Sequence, residues 1–569
     1  MYIVDQKGLR GLVVRHILLF LLVAIAVYPA TYYVSPDGDD RHDGSLGAPW
    51  ASASWATRRM QGGDELVLLP GTYVQRVFDA DILQPPSGSA QQVTRIRGSD
   101  SGAAVLAGAD NLYALINLSG AHYVEISDLE FTHDGQEYAR DGINATAEPC
   151  SHIVLRNLHI HHLDEFGLNI RDVTDLTVDS CTIHHCGFGA AGGPEAGSGG
   201  GWQNVRFTDS QLSRSGHYYQ NGDSENPYGR PDGFGIEPGP GPVEFVRCRL
   251  EHNHGDGLDS KSDTTIVRSC IIANNRTDGL KLWGRYGRIE NTLIYGRGDG
   301  DATPTPWSAV VIDTEFPNAV FEFVHCSIDD SLGQNYCMWA QYDHPQVPIH
   351  VNMLNTIISS RGRRSSLFLT ETVNFSVSHT LFWMPENDIL LQHGQDEYSA
   401  ETIPALGDGV LAADPRFVRP AWGGDGDYRL SASSPALNAA MPTHLVVDLA
   451  GNPRHQGAAP DLGAYERSTE TAVQTRAPLS KFNVSCAPNP ANPGTRIHFY
   501  LSKPGPVNIS IYDMLGRRIS TLNRVYSAGS HYAAWDGRND QGAVCPSGIY
   551  LIVLDTETYR HRLKLALVH

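Results

Sequence analysis

The sequence lacks an excess of positive charge. Its 569 residues include 43 Lys and Arg against 63 Asp and Glu, which gives a formal net charge of −20. A nucleic-acid partner requires clustered basic side chains against the phosphates, so this balance argues against DNA or RNA binding. The acidic excess lies before residue 482, because residues 482–569 hold nine basic and five acidic side chains.

Long hydrophobic runs are also missing. The apolar run "ILLFLLVAIA" at 17–26 is too short to span a bilayer. Lys7, Arg10 and Arg15 precede it, which is the pattern of a secretory signal peptide. We therefore expect residues 1–26 to be removed. The mature protein, without a transmembrane segment, is then secreted or held at the bacterial cell surface.

Cysteine and helix-forming stretches are both scarce. The nine cysteines are an odd number for an oxidising compartment, so they need not form a full disulfide framework. Between its short strand-like segments the chain has none of the roughly 10–15-residue helical stretches that leucine-rich repeats or βαβ units require. These two absences exclude a small disulfide scaffold and an alternating α/β repeat.

What the sequence has instead is a repeat of short strands, such as "NLHIHH" at 157–162 and "CTIHHC" at 181–186. An apolar residue recurs at intervals of 22 to 38 residues. Period-2 strands at such intervals indicate a solenoid of stacked strands. The aligned apolar positions are Phe131, Ile160, Ile183, Leu212, Leu250, Ile272, Ile294, Ile328, Ile357 and Leu381.

A column of small residues stands two positions before many of these apolar residues. Stacked rung on rung, such residues are expected to be buried, and reactive or bridging thiols are the less favoured interpretation. The repeat therefore predicts an all-β fold, a right-handed parallel β-helix, followed by a small immunoglobulin-like β-sandwich. The small column includes Cys181, Ser210, Cys248, Cys270, Thr292 and Cys326.

Two stretches of the repeat, "DGLDSKSD" at 256–263 and "DGLKLWG" at 278–284, both begin Asp-Gly-Leu and lie 22 residues apart. As neighbouring rungs of a β-helix they would be about 4.8 Å apart. Alternation along each strand then points Asp259 and Lys281 outward, side by side. Asp-Gly is also an ordinary turn signal, so each pair taken alone has a purely structural interpretation.

The rung before them, "DGFGIE" at 232–237, adds further outward carboxylates. Asp232 would stand in one column with Asp256 and Asp278, and Glu237 would project from the same rung as Asp232. Carboxylates converging on one face repel each other unless a cation neutralises them. Oxygen ligands of this kind suit Ca²⁺, which can also bridge an acidic protein to an acidic polymer.

A calcium ion beside a lysine suits one reaction in particular. A lysine next to a divalent cation has its charged form disfavoured, and the neutral amine is a usable general base. The cation binds the C6 carboxylate of a uronic acid residue and acidifies the proton at C5. Lys281 removes that proton, and the glycosidic oxygen at C4 leaves by β-elimination. The candidate metal ligands are Asp232, Asp256, Asp259 and Glu237.

The stretch 232–284 resembles the core of the family 9 polysaccharide lyases, which are β-helical pectate lyases. The resemblance implies calcium binding by Asp232, Asp256 and Asp259 and a catalytic role for Lys281. The family pattern has two consecutive acidic residues where this chain has Gly255-Asp256, so one expected ligand is missing. Glu237 is the candidate substitute.

The sequence therefore predicts a secreted calcium-dependent lyase acting on an acidic polysaccharide, with pectate or polygalacturonan as the preferred substrate, and we expect a monomer. Glycoside hydrolysis needs only two positioned carboxylates. However, the Asn-Thr-Asp, Gly-His-Gly and Arg-Ile-Lys signatures of the β-helical polygalacturonases do not occur here. Epimerisation at C5 shares the proton abstraction and stays open. A non-catalytic β-helix that binds glycan or mediates adhesion at the cell surface is the alternative from another class.

Three residues near Lys281 are candidates for substrate binding. Arg276 and Arg285 flank its rung and could hold further substrate carboxylates as bidentate partners. Trp283 could line a sugar-binding groove. The alternative for the arginines is solvated surface charge, and for the tryptophan it is packing of a loop.

Five histidines lie on two adjacent rungs. Imidazoles grouped in this way can bind zinc. Alternation should separate sequence neighbours onto opposite faces, however, and stacked exposed imidazoles are ordinary in such ladders, so the metal site is the less favoured interpretation. The residues are His159, His161, His162, His184 and His185.

The chain divides into a β-helix at 31–466, a polar linker at 467–481 and a C-terminal β-sandwich at 482–569. Residues 414–466 resemble the end segment of secreted bacterial β-helices and should cover the last rung. The sandwich resembles the immunoglobulin-like modules of exported bacterial proteins and type IX secretion sorting domains. This resemblance implies that it engages secretion machinery to sort or anchor the protein. Pairing of Cys486 with Cys545 across the sandwich is left open.

Overall fold

A computed structural model describes most of the chain. The predicted signal peptide at 1–26 lies outside the described residues, as does the predicted linker apart from residue 467. The described residues are 29–223, 228–229, 231–297, 308–330, 336–361, 364–421, 425–467, 485–487, 491, 494–501, 505–513, 517–526, 529–556 and 560–568.

The described residues between 31 and 412 wind through three long sheets, here called sheets 1, 2 and 3. Strands of successive rungs pair in parallel within each sheet, which confirms the predicted parallel β-helix. Sheet 1 comprises Thr31–Val34, Glu65–Leu68, Thr94–Gly98, His122–Ser127, Cys150–Arg156, Val173–Asp179, Trp202–Thr208, Gly241–Val246, Thr264–Arg268, Tyr286–Glu290, Ala319–Val324, Ile349–Leu354 and Val373–Ser378.

Sheets 2 and 3 follow the same winding. Sheet 2 comprises Gly71–Gln75, Ala104–Gly108, Glu130–His133, His159–Leu163, Thr182–Cys186, Gln211–Ser213, Arg249–Glu251, Ile271–Asn275, Leu293–Arg297, Ser327–Asp330, Ile357–Ser360, Leu381–Trp383 and Leu411–Ala412. Sheet 3 comprises Leu112–Asn117, Ala139–Ala145, Phe166–Ile170, Gly189–Gly192, Phe234–Gly239, Leu258–Ser262, Leu280–Leu282, Val310–Ile312, Met338–Ala340, Leu367–Leu369, Ile389–His393 and Asp396–Ser399. The last of these strands pairs antiparallel.

Every second residue of each strand points into the interior between the three sheets, and these side chains form the core. The predicted apolar column of sheet 2 is in register from Phe131 to Ile328, rung by rung, and its members are almost completely buried. Alternation along a strand produces this pattern, because inward and outward side chains differ in polarity.

The last two predicted members of that column are wrong by one residue. Ile328 pairs with Ile358, and Ile358 pairs with Phe382, so Ile357 and Leu381 point to the outer face. Both are nonetheless fully buried, because the segment that contains Leu430 packs against them from outside. Alternation cannot assign the inner face where both faces of a strand are apolar.

Sheets 1 and 2 are joined on ten successive rungs by a turn through one residue with a positive φ of 44–58°. Asn, Asp and His are enriched in this left-handed conformation, which explains their frequency here. In eight of these turns, from Ser180 to His379, the next residue is a small Cys, Ser or Thr of the small-residue column. Its side chain bonds back to the carbonyl two positions earlier, as Ser210 Oγ does to Thr208 at 2.8 Å. The turn residues are Asp128, Asn157, Ser180, Asp209, Arg247, Ser269, Asn291, His325, Asn355 and His379.

The small-residue column therefore has the predicted structural role. Cys181, Cys248 and Cys270 are buried, and each Sγ contacts the carbonyl two residues before it. Each of the nine cysteines is a thiol, so Cys486 and Cys545 do not form the bridge that the sequence left open.

Short elements complete the β-helix region. Phe417–Arg419 pairs antiparallel with Asp427–Leu430, and these strands pack on the outer face of sheet 2 through Tyr428. The Tyr428 ring lies tilted against Tyr295 at 4.6 Å, and its hydroxyl donates to Asp329 at 2.6 Å. Residues of the 414–466 segment thus pack along the side of sheet 2, and their predicted role as a cover for the last rung stays a prediction. The remaining elements are the α-helix Ala53–Thr57, the 3₁₀ helix Ile403–Leu406 and the hairpin Tyr218–Tyr219 with Gly222–Asp223.

The C-terminal region forms two antiparallel sheets with a common apolar core that includes Ile509, Trp535 and Ile552. The predicted β-sandwich is thus present. Across the parts of the chain that the structure describes, none of the helices is long and apolar enough to cross a membrane. The strands are Ser485–Ala487, Thr495–Leu501 and Gly529–Trp535 in one sheet, and Arg518–Tyr526, Gly505–Asp513, Gly548–Thr556 and Arg560–Leu567 in the other.

Phe245 tests the packing of the β-helix. Its ring is fully buried, stacks on Phe207 at 4.9 Å and meets Phe234 edge-on at 4.8 Å. We expect Phe245→Ala to lower the free energy of unfolding of the β-helix by about 3–5 kcal/mol in urea denaturation, because it leaves a cavity. Phe78→Ala, at a ring that is 62% exposed, should cost less than about 1 kcal/mol. Equal losses in the two variants would contradict the core assignment.

Candidate functional site

The two Asp-Gly-Leu stretches are neighbours in sheet 3, as predicted. Leu258 pairs with Leu280, and Asp259 pairs with Lys281. Both leucines are fully buried inside the helix, while Asp259 and Lys281 are half-buried on the outer face. The preceding rung lies alongside through the pairing of Phe234 with Leu258.

Three carboxylates converge at this point. One oxygen each from Asp232, Asp256 and Asp259 lies within 4.8 Å of the others. Asp232 Oδ1 accepts the backbone amide of Asp256 at 2.6 Å, and Asp256 Oδ1 accepts that of Asp278 at 2.8 Å. Each side chain of this column is therefore aimed along the helix axis by the amide of the next rung. Because of these bonds, Asp256 and Asp278 are 6% and 1% exposed, more buried than an outward column predicts.

A buried asparagine ladder lies beneath the Asp-Gly corners. Asn253 Nδ2 donates to Asn275 Oδ1 at 2.9 Å, and Asn275 Nδ2 donates to the carbonyl of Leu250 at 3.0 Å. A Cβ on Gly257 would lie 2.4 Å from Asn275 Nδ2. Glycine is needed here for this close approach, so the Asp-Gly pairs do more than mark turns.

Lys281 lies against the carboxylates. Its Nζ is 3.8 Å from Asp256 Oδ2 and 3.6 Å from Asp278 Oδ2, and its side chain is 15% exposed. Burial lowers the pKa of Lys281, but the attraction of Asp256, Asp259 and the carboxylates beside them outweighs burial, so the pKa is raised. The amine is accordingly held as a cation while these carboxylates are charged.

The carboxylates themselves are destabilised as anions. Burial, with repulsion from Asp256 and Asp259, holds the pKa of Asp232 well above its usual range. Burial and repulsion from Asp256 also raise the pKa of Asp259 to about 6, although Lys261 and Lys281 oppose the shift. Oxygen donors of this kind in mutual repulsion fit a hard cation, so the residues present suit calcium.

Glu237 lies outside the carboxylate trio. Its Oε1 is 3.1 Å from Lys261 Nζ, and the same Nζ is 3.9 Å from Asp259 Oδ2. Lys261 thus bridges Glu237 to the edge of the cluster. The structure brings together Asp232, Asp256, Asp259 and Lys281, and it places Glu237 one contact further away.

The residues predicted to bind substrate have other partners. Trp283 Nε1 donates to Asp259 Oδ1 at 2.7 Å, so the indole orients a carboxylate of the trio. Arg285 is 57% exposed, lies 3.3 Å from Asp263 and stacks over Phe316 at 3.8 Å. Arg276 is half-buried at the corner before Asp278, where its backbone amide donates to Asn253.

Sequence reasoning missed an aromatic group further along the same outer face. In register, Lys281 is followed by Val311, Trp339 and Phe368. Two rungs separate Trp339 from Lys281, which is about 10 Å along the helix axis. Phe368 stacks on Tyr336 at 4.8 Å, while Tyr342 is 61% exposed. Alternation of inward and outward residues in "YCMWAQY" at 336–342 was the signal that could have predicted this outward aromatic group.

The histidines do not separate as predicted. His161 Nδ1 lies 2.7 Å from His162 Nδ1, and His184 Nδ1 lies 2.6 Å from His185 Nδ1. The expectation was wrong because His162 and His185 have positive φ values of 54° and 52°, and a left-handed residue interrupts the alternation of a strand. The rings therefore gather on one face of sheet 2.

Comparison with known proteins agrees with this architecture. Residues 32–291 match the family model described as the Pel9A-like, right-handed beta helix region. Residues 489–559, within the C-terminal sandwich, match the FlgD Ig-like domain.

Two curated proteins to which this chain is similar are pectate lyases. It is 22% identical to pectate lyase L of Dickeya dadantii over 77% of this chain and 90% of that protein. It is 26% identical to pectate lyase PEL9 of Emericella nidulans over 50% of this chain and 61% of that protein. The crystal structure of pectate lyase Pel9A matches with a TM-score of 0.43 and 17% identity, covering 78% of this chain and 98% of that one.

The raised pKa of Asp259 predicts a pH effect on the stability of the β-helix. A carboxyl whose pKa is higher when folded holds its proton more tightly in the folded state, so folding loses stability as the pH rises from about 4 to about 6. With chelator present, we compare the free energies of unfolding of Asp259→Asn and the wild type by urea denaturation. We expect the difference to change in favour of Asp259→Asn by about 1–3 kcal/mol as the pH rises from about 4 to about 7. Asp100→Asn, at an 84% exposed side chain, should show no such gain. A pH-independent difference for Asp259→Asn would contradict the assigned repulsion.

Proposed function

We propose that this protein is a secreted, calcium-dependent polysaccharide lyase that cleaves a uronate-containing polymer, most readily pectate or polygalacturonan, by β-elimination. The pectate lyase relatives support a polysaccharide lyase. The observation that carries the finer proposal is the placement of one lysine amine beside Asp256 at the edge of a three-carboxylate cluster.

Asp232, Asp256 and Asp259 are the proposed calcium ligands. When bound there, the cation would bind the C6 carboxylate of a uronate residue and acidify its C5 proton. Trp283 fixes Asp259 through its indole N–H, and the amide of Asp256 fixes Asp232. These bonds orient the oxygens before any ligand arrives, which lowers the cost of binding. Glu237 would join the ligands only by leaving Lys261.

Lys281 is the proposed base that takes the C5 proton. Its raised pKa in the structure results from the charges of Asp256, Asp259 and Asp278. Once those charges are neutralised, the amine loses the attraction that holds its proton, while its partial burial still favours the neutral form. The C4 oxygen then leaves as the C4–C5 double bond forms.

Other residues have proposed roles in binding the polymer. Arg276 and Arg285 would pair with carboxylates of neighbouring uronate units. Trp339, in register two rungs beyond Lys281, would offer an aromatic face to a sugar ring further along the chain. A linear polymer lying across the outer face of sheet 3 would meet these groups in order.

The division into a β-helix at 31–466 and a sandwich at 482–569 is part of the proposal. The FlgD Ig-like match supports a separate module at the C-terminus. We assign it a role in sorting or anchoring through type IX secretion, and the signal-peptide pattern at 1–26 supports export of the chain. Catalysis would then occur outside the cell or at its surface.

The reaction is tested by ultraviolet absorbance of the purified mature protein with polygalacturonate, in calcium and in chelator. We expect a calcium-dependent rise from the C4–C5 double bond, lowered at least about 1,000-fold in Lys281→Ala because the base is gone. Lys261→Ala is the matched control, since Lys261 lies one rung earlier on the same face. It should keep most of the activity.

Two outcomes would contradict this proposal. Loss of activity in Lys261→Ala, together with retention of activity in Lys281→Ala, would identify Lys261 as the base in place of Lys281. Saturable binding of polygalacturonate, rhamnogalacturonan or alginate without any absorbance rise, unchanged in Lys281→Ala, would favour the glycan-binding or adhesion protein.

The metal site is tested by calorimetric titration with Ca²⁺. We expect Asp256→Asn to weaken calcium binding at least about tenfold, because it removes one charged oxygen ligand while an amide oxygen can still accept from Thr277 and Asp278. Glu237→Gln should weaken it less, because Glu237 is engaged by Lys261. Unchanged affinity in Asp256→Asn would exclude the trio as the calcium site.

A further inference from the structure

The second cluster of metal-ligating side chains lies on sheet 2, away from the strand of Lys281. Glu130 and His159 are register partners on neighbouring rungs, and His161 is the register partner of His184 on the next rung. His159 and His161 flank Ile160, which is fully buried, so alternation directs both imidazoles to the same outer face. Three rungs thus contribute donors to one point.

The distances between the donors are close to those of a metal site. His161 Nε2 lies 3.2 Å from Glu130 Oε1, and His159 Nε2 lies 2.8 Å from His184 Nε2. One donor atom each from Glu130, His159 and His161 falls within 4.8 Å of the others. Nitrogens bound about 2.05 Å from a tetrahedral zinc ion lie ~3.3 Å apart, so small shifts would form the site.

A second layer of contacts orients these imidazoles. His161 Nδ1 meets His162 Nδ1 at 2.7 Å and Thr132 Oγ1 at 3.3 Å, which leaves Nε2 facing Glu130. His184 Nδ1 meets His185 Nδ1 at 2.6 Å, which leaves its Nε2 facing His159. Metal-ligating histidines usually engage their other ring nitrogen in this way, which fixes ring orientation. His162 and His185 stack on each other, with ring centroids 4.8 Å apart and an interplanar angle of 6°.

We propose that Glu130, His159 and His161, with His184 beside them, bind a Zn²⁺ ion. Imidazole nitrogens with one carboxylate are the donors that zinc prefers, whereas calcium takes oxygen alone. The Glu130 and His161 side chains are 34% and 14% exposed, so an ion can reach them from solvent. The site would tie three rungs of the β-helix together, independently of the proposed calcium site.

The test measures zinc binding to the purified mature protein, stripped with chelator and dialysed with Zn²⁺ in an excess of Ca²⁺. We expect one zinc per chain by elemental analysis and a higher unfolding temperature with zinc than without it. The double variant His159→Ala/His161→Ala should lose at least about 100-fold in zinc affinity. His122→Ala removes an exposed imidazole from sheet 1 and should bind zinc as the wild type does.

Cobalt provides a readout that does not depend on the stability of a variant. Co²⁺ in the wild-type protein should give the intense visible absorption of a tetrahedral site with nitrogen ligands, and added Zn²⁺ should abolish it. Zinc affinity that is equal in the double variant and the wild type would overturn the proposal by showing scattered surface binding. Failure of the wild type to retain zinc, or a weak six-coordinate cobalt spectrum, would overturn it as well. Lys281→Ala should leave zinc binding unchanged, so this result stands apart from the lyase assay.

Discussion

Parallel pairing of each strand with its counterpart one rung along is the constraint on which the rest of this protein depends. The pairing holds equivalent residues about 4.8 Å apart, so a chemical type that recurs in the repeat becomes a column on one face. Asp232, Asp256 and Asp278 form such a column, and Lys281 stands beside Asp259 for the same reason. A slip of one residue would turn every side chain of a strand to the opposite face and disperse both clusters.

The corners maintain this register. At the corner between sheets 1 and 2, a left-handed residue is followed by a small buried one that bonds back to the main chain. At the corner before sheet 3, Asn253 and Asn275 bond to each other in the interior, and Gly257 leaves room for them. Since buried amides are costly to leave unpaired, these corners favour one alignment of neighbouring rungs over its alternatives.

Period-2 alternation was sufficient to predict which residues of the candidate site share the outer face, because Leu258 and Leu280 are apolar and their neighbours are charged. Alternation was insufficient in two situations. It misplaced Ile357 and Leu381, where the segment that contains Leu430 packs on the outer face and makes that face apolar too. It also separated His161 from His162, because it has no information about a left-handed backbone. The hydrogen-bond partners of Trp283 and Glu237 depend on the directions of their side chains, and residue spacing predicts the face of the sheet but not these directions.

The end of sheet 3 has a consequence for the behaviour of the protein in concentrated solution. A stack of parallel strands presents unpaired amides and carbonyls on its last strand, which can recruit a strand from another chain. Here Asp396–Ser399 folds back antiparallel on Ile389–His393, and it places the exposed carboxylates Asp396 and Glu397 at the edge. A second β-helix approaching end to end would meet a strand of the wrong direction and a negative charge like its own. At the end of sheet 3, the fold-back thereby opposes continuation of the parallel winding into a second chain.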